Sequence, residues 1–389
     1  MMAPARTMPR GPLLEWGSFS NERGLLPPAV DDLPCQFATT SGRAAIFQAL
    51  KILKLAPGTS VLVPTYHCPT MVAPVVQAGL TPVFYPMTSA LTPHLDDLVV
   101  GHGQGRPGAL LVAHYFGFPR SMLAERTWCD QHGVALIEDC AHAFFGQAGE
   151  RPIGHWGDLA TASITKFFPV PEAGLLGSAR RVLHQTPLRR QAARAELLGL
   201  AKTLALASDH NRWPGLSMLV RLAAAAKRTA SPTAEASTSA SSMSSDPLQG
   251  CDLRRCNDHP LAVSRWITQR VSRPRLVATR RANAQHLIDN IELPSGARWF
   301  SQPQASDVPY VLPLWLDRCP DEIYHALRSA GLPVLRWDQC WRGMPTLPND
   351  FGLLASKHVV QILCHQSLTL TDMGCIAAQV TAQLRASLQ

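Results

Sequence analysis

Apolar runs of strand length alternate with helical-period segments through the first half of the chain. Ser60–Pro64, Thr81–Tyr85, Leu110–Tyr115 and Ala135–Glu138 are the strand-like runs. Between them Ala44–Leu55, Thr70–Ala78 and Ser121–His132 repeat their apolar residues at helical spacing. This alternation predicts an α/β fold, a mostly parallel central sheet covered by helices on both faces.

The pattern changes after Ser178, where the chain turns rich in Arg and Ala. Pro187 reads as a helix start, and Leu188–Leu206 and Ser217–Lys227 both carry helical periodicity with basic residues between the apolar ones. Ser231 to Asp246 is mostly Ser, Thr and Ala, too weakly apolar to offset the entropy of ordering, and is expected to be a disordered insert. Order resumes at Trp266, with a long helix over Pro274–Asn290, strands over Tyr310–Leu316, Leu332–Trp337 and His358–Leu363, and helices over Asp321–Ala330 and Asp372–Leu388. Antiparallel strands with covering helices here predict a smaller α+β domain capping the site. The expected division is an irregular Pro- and Gly-rich arm over 1–34, a large domain over 35–270, and a linking helix with the small domain over 271–389.

Composition narrows this only a little. A chain of 389 residues with 46% hydrophobic and 16% charged content has ample material for two cores. The formal charge of +8 suits anionic small molecules, nucleic acid and membrane surfaces equally, so it selects no partner. Ten cysteines are scattered singly without a Cys-x-x-Cys pair, which points to reduced thiols in a cytoplasmic protein. Cys251, Cys256 and His259 lack a fourth ligand, so no metal site is expected. The N-terminus has basic residues but no long apolar core after them, and no apolar run reaches the roughly 18 residues of a membrane span. Gly103 to Gly108 satisfies G-x-G-x-x-G, but an apolar strand follows where a dinucleotide site needs a helix, so the segment is read as a loop.

The chemistry concentrates between Val134 and Gly174. An apolar strand there ends on Glu138 and Asp139, and Ser163-Ile164-Thr165-Lys166 follows. A lysine set among apolar neighbours is easily stripped of its proton, which makes it a nucleophile toward an aldehyde. A carboxylate at the carboxyl end of a buried strand lies where open α/β sheets hold their ligands. There it can keep a ring nitrogen protonated. Taken singly, an Asp after a strand is commonest as a cap or turn residue; the joint pattern is what carries weight.

That pattern continues in SGRAAIFQAL (Ser41–Leu50), in Val61–Phe84, in LLVAHYFGFP (Leu110–Pro119), in HGVALIEDCAHAFFG, in GERPIGHWGDLATASITK and in RRANAQHLI (Arg280–Ile288). In order and spacing these segments resemble the DegT/StrS-type sugar aminotransferases, whose fold is the aspartate-aminotransferase-like fold type I of pyridoxal-phosphate enzymes. The resemblance implies a pyridoxal 5'-phosphate cofactor, with Asp139 facing its pyridine nitrogen, Lys166 as the Schiff-base lysine and His142 beside the phenolic oxygen. Phosphate would lie at the helix start after Gly42, on the amides of Arg43 and Ala44, with Ser163 as a further hydrogen-bonding partner. The family's ring-stacking aromatic position falls on Cys68, and His67 is taken as the ring neighbour.

The resemblance further implies an aminotransferase moving an amino group from glutamate or a similar donor to a keto-sugar nucleotide, in polysaccharide or secondary-metabolite amino-sugar biosynthesis. Its partners would be these small molecules and a second copy of the chain in a homodimer, with no nucleic acid. Besides Cys68 at the ring-stacking aromatic position, the chain departs from the family in three further places: Ala173 replaces a glycine after Lys166, Ser163 stands closer to the lysine than is usual, and the family's Gly-x-Asn-x-Arg segment is not evident near Asn257. A catalytically degenerate homologue acting as a regulatory or scaffolding protein, with the basic region 180–227 as its partner surface, is the competing expectation.

Overall fold

Five-residue apolar segments build the main sheet, and its five inner strands are each buried over at least four of their five residues because both faces are covered. A computed structural model describes residues 8–98, 105–184, 187–213 and 246–388. Along the chain come β1 (Cys35–Thr39), α1 (Gly42–Leu53), β2 (Ser60–Pro64), α2 (Pro69–Gln77), β3 (Thr81–Tyr85), β4 (Ala109–Ala113), α3 (Leu123–His132) and β5 (Ala135–Asp139). A short hairpin of β6 (Gln147–Ala148) and β7 (Arg151–Pro152) leads to β8 (Leu159–Ser163) and β9 (Gly174–Ser178). The seven-stranded sheet has the order β1-β9-β8-β5-β4-β2-β3. The pairs β2–β3, β2–β4, β4–β5 and β5–β8 are parallel; β9 alone runs against its neighbours β1 and β8. The expected α/β class and mostly parallel sheet are therefore present.

β9 was not foreseen, because GLLGS is short and half glycine-flanked. Its Gly174 is required by close approach: a Cβ there would lie 2.2 Å from the Ser41 carbonyl carbon and 2.3 Å from its oxygen. The strand thus presses directly on the start of α1, the segment that borders the cavity described below.

The second half forms α4 (Ala193–Asp209), α5 (Ala262–Arg270), α6 (Arg273–Asn290), β10 (Ala297–Trp299), β11 (Val311–Leu316), α7 (Pro320–Ser329), β12 (Val334–Leu335), α8 (Gly352–His358), β13 (Val359–Leu363) and α9 (Leu370–Leu388). A four-stranded sheet of order β10-β11-β13-β12 is antiparallel throughout. The two sheets meet at Gly117, whose φ of +96° and missing side chain admit Tyr310; a Cβ would sit 2.3 Å from the Tyr310 nitrogen.

Two sequence expectations change. The helix after Pro187 begins later, at Ala193. The expected strand Leu332–Trp337 pairs only over Val334–Leu335, since Arg336 turns away to Asp321 and Asp338 and leaves Trp337 facing inward. The helix over 217–227 and nearly all of the low-complexity segment 231–246 lie outside the described residues. Among the described residues no helix is long and apolar enough to cross a membrane.

Candidate active site

The parallel strands end together, and their carboxyl ends open onto a cavity of about 410 Å³, the position where open α/β sheets take ligands. Asp139 closes β5 and is 3% exposed. Its Oδ1 accepts from Ala141 N at 2.9 Å and from Thr161 Oγ1 at 3.2 Å, which fixes the carboxylate against the cavity. Lys166 ends the 3-10 turn Ile164–Lys166 that follows β8 and lines the same cavity. Burial holds the Lys166 ammonium below the ordinary lysine range, against the opposing pull of Cys68 and Asp139. Burial also raises Asp139, opposed first by Lys166 and then by the Ala141 and Thr161 hydrogen bonds. Both groups are thus pushed toward their neutral forms, and a cation placed beside Asp139 would supply the charge that burial withholds.

Neighbouring side chains complete the chamber. His142 is 3% exposed, packs on Tyr310 and Trp337 with centroids 4.6 and 4.5 Å away, and keeps a buried Nδ1 without a hydrogen-bond partner. Burial and then the nearby Lys166 charge hold it well below the usual histidine range, so it is neutral. Lys166 Nζ lies 5.3 Å from the Tyr310 ring and 6.0 Å from that of Trp337. Gly42, Arg43 and Ala44 border the cavity at the α1 N-terminus, as does Ser163, whose Oγ is 3.3 Å from Thr165 Oγ1. The Ala44 amide is already engaged by Ser41 Oγ at 3.2 Å, which caps the helix and leaves Gly42 and Arg43 to offer their main-chain N–H groups.

His67 is the one expected site residue that the cavity does not include. It is 1% exposed and turned into the core, where Nδ1 donates toward the Pro64 and Thr65 carbonyls at 3.0 Å and Nε2 accepts from Trp341 N at 3.0 Å. Cys68 faces the cavity instead. The hydrogen bonds hold His67 in its Nδ1–H form, and burial, opposed by the two carbonyls, lowers it to about 4. Between pH 6.5 and about 4 the unfolded chain takes up a proton that folded His67 refuses, so stability is present above this window and lost as pH falls through it. Chemical denaturation across that range should show a loss on the order of 3 kcal/mol from this group. The loss should shrink in His67→Gln, and an unchanged pH slope in that variant would remove His67 as its source.

The carboxylate next to Asp139 serves structure. Glu138 Oε1 accepts from Gly154 N at 2.7 Å and His114 Nε2 at 2.9 Å, and Oε2 from Trp156 N at 2.8 Å and Gly157 N at 2.9 Å. Burial works to raise Glu138, but the His114 bond and the Gly157 and Gly154 amides win and hold it below the usual range. Ligand atoms of His114, Glu138 and Cys140 lie within 4.8 Å of one another, yet those four donors already occupy both Glu138 oxygens, which argues against a metal there. Cys251, Cys256 and His259 form no such group among the described residues.

Residues missed in the sequence come from far along the chain. Asp252, Leu253, Arg255 and Cys256 wall the cavity beside α1. Thr40 Oγ1 donates to the Arg255 carbonyl at 2.9 Å, and Arg255 Nη2 donates to Glu172 Oε1 at 2.7 Å. A signal existed: Gly250-Cys251-Asp252-Leu253-Arg254 keeps the glycine and arginine of the Gly-x-Asn-x-Arg spacing, with Asp for Asn. Trp337 left no signal at all.

A mostly parallel seven-stranded sheet with one reversed strand, carrying a lysine and an aspartate on one cavity at its strand ends, is the aspartate-aminotransferase-like fold-type-I architecture. Residues 35–185 match the model of the DegT/DnrJ/EryC1/StrS aminotransferase family. It is 32% identical over 155 residues to the UDP-N-acetyl-3-dehydro-alpha-D-glucosamine 3-aminotransferase of Acidithiobacillus ferrooxidans, covering 37% of this chain and 38% of the relative. It is 30% identical over 162 residues to the GDP-perosamine synthase of Vibrio cholerae, covering 40% and 44%. The matched segments thus span about two fifths of these relatives' lengths. The aminotransferase PseC of Helicobacter pylori, involved in pseudoaminic acid biosynthesis, superposes with a TM-score of 0.63 over 98% of this chain and 99% of that one at 14% identity, a likeness of fold.

Proposed function

We propose that this protein is a pyridoxal-phosphate-dependent aminotransferase that carries an amino group from glutamate or a similar donor to a keto-sugar nucleotide, acting as a cytoplasmic homodimer. The observation that carries the reading is Lys166 and Asp139 on one cavity, the lysine pushed by burial toward its free amine. In this reading residues 35–270 form the cofactor-binding domain and 271–389 the linking helix and smaller domain. The names of the relatives, which are nucleotide-sugar enzymes, support the substrate class.

The residues present fit the cofactor. The buried, unpartnered His142 Nδ1 suits a phenolic oxygen. The α1 N-terminus with Gly42, Arg43 and Ser163 suits a phosphate. When bound, pyridoxal phosphate supplies an aldehyde that captures amines and a protonated ring that accepts electrons. Asp139, fixed by Thr161 and Ala141, would hold the proton on the ring nitrogen. Lys166 Nζ, as the free amine, would anchor the cofactor and afterwards take up and return the proton at the donor's α-carbon. Tyr310 and Trp337 would exclude water from that amine. The regulatory reading is the less favoured, since it gives the Lys166–Asp139 arrangement no task.

The first half-reaction needs no sugar. Glutamate or a similar donor added alone to the cofactor-loaded protein should convert its visible absorbance to that of the pyridoxamine form. A spectrum unchanged by every amino donor would favour the regulatory reading.

A further inference from the structure

Arg280 in α6 is completely enclosed, at 0% exposure, yet among the described residues no carboxylate is its partner. Nε donates to Gln366 Oε1 at 2.8 Å, Nη1 to the Pro309 carbonyl at 3.0 Å and Nη2 to the Lys166 carbonyl at 2.7 Å, while the guanidinium lies 4.5 Å from the Phe167 ring centroid. Burial lowers it to about 10, so it remains a cation at neutral pH. A charge taken out of water without a counter-ion is expensive, and an apolar side chain of similar volume packs such a place at less cost. Stability of the core does not account for this residue.

Its partners point to another role. Lys166 closes a single 3-10 turn, and its carbonyl and that of Phe167 lie where a short helix leaves acceptors unused. Arg280 takes the first, and Gln366 Nε2 donates to the second at 2.7 Å. Arg280 and Gln366 are themselves joined, so one pair grips two consecutive carbonyls at the lysine. The third arm of the guanidinium holds the Pro309 carbonyl, beside Tyr310, whose ring neighbours Lys166 Nζ. Segments separated by more than a hundred residues are thereby tied to one rigid, planar fork.

We propose that Arg280 and Gln366 act as a single clamp that positions Lys166 by its main chain and so aims Nζ into the cavity. The proposal rests on the amine chemistry assigned to Lys166 above. Arg280 is a positioning residue, since it acts through the lysine backbone and does not line the cavity.

The test uses the full-length protein stripped of cofactor, incubated with pyridoxal 5'-phosphate, treated with borohydride and mapped by mass spectrometry, with melting temperature recorded beside it. Arg280→Lys keeps the charge but loses the fork, and Gln366→Ala keeps Arg280 but frees Phe167. Each should slow labelling of Lys166 by about tenfold or more, since small displacements of a reacting group are costly. The double variant should be no slower than the slower single one, as for residues acting as a unit. Gln366→Glu gives Arg280 a counter-ion while withdrawing the donor from Phe167, so it should melt at or above the parent temperature and still label slowly. Parent-like labelling in Gln366→Glu or in both single variants, or effects that multiply in the double variant, overturns the clamp. A parent protein that takes no label at Lys166 overturns the aminotransferase reading together with it, and the two failures are told apart by that control.

Discussion

Lys166→Ala is expected to bind pyridoxal phosphate without any bond that borohydride can fix, and to lose the amino-donor half-reaction. The substitution removes the amine that shares the cavity with Asp139 but leaves the α1 N-terminus, Ser163, His142 and Asp139 in place. Affinity should therefore persist while covalent attachment disappears, so the pyridoxyl label found on Lys166 in the parent should fall to background. The rate should drop on the order of 10³-fold, because one side chain serves both as the attaching amine and as the carrier of the α-proton. A label that sits on the exposed Lys202 or another lysine in the parent would place the chemistry elsewhere.

Asp139→Ala should give the opposite separation. Lys166 remains, so the bound cofactor stays reducible by borohydride, but the ring nitrogen loses the carboxylate that Thr161 and the Ala141 amide hold in position. A deprotonated ring is a poor electron sink. The half-reaction should slow by about two or more orders of magnitude, roughly 3 kcal/mol of transition-state stabilisation, and binding should weaken. The cavity also relieves a conflict in the free protein: burial raises Asp139 and lowers Lys166, and a pyridinium would restore the charge on the carboxylate. Asp139→Ala reacting at the parent rate would refute this role.

Much of the frame was legible because the relevant signals are short. β2 and β3 fall on the residues that strand-length apolar runs predict, and α6 lies within one residue of its expected limits. Lys166, Asp139, His142, Ser163 and the α1 start share one cavity because strand ends and the turns after them sit together in a parallel sheet. His67 went astray through local geometry. In the extended stretch before α2 one residue separates a side chain in the core from one in the cavity, and hydrogen bonds from Trp341 and to Pro64 and Thr65 select Cys68 for the outside.

The amino-acid order by itself determined the strand-and-helix alternation, the reversal from α/β to antiparallel sheet, and the placing of a carboxylate and a lysine at two strand ends. Those follow from periods of two and 3.6 residues and from residue chemistry read in place. Only the tertiary structure decided which distant groups meet them: Trp337 turning inward after a strand of two paired residues, the 252–256 loop walling the cavity, and Arg280 reaching the Lys166 carbonyl across 114 positions. Such contacts depend on how the sheets cross and where Gly117 and Gly174 permit backbones to touch, and no window of neighbouring residues contains that information.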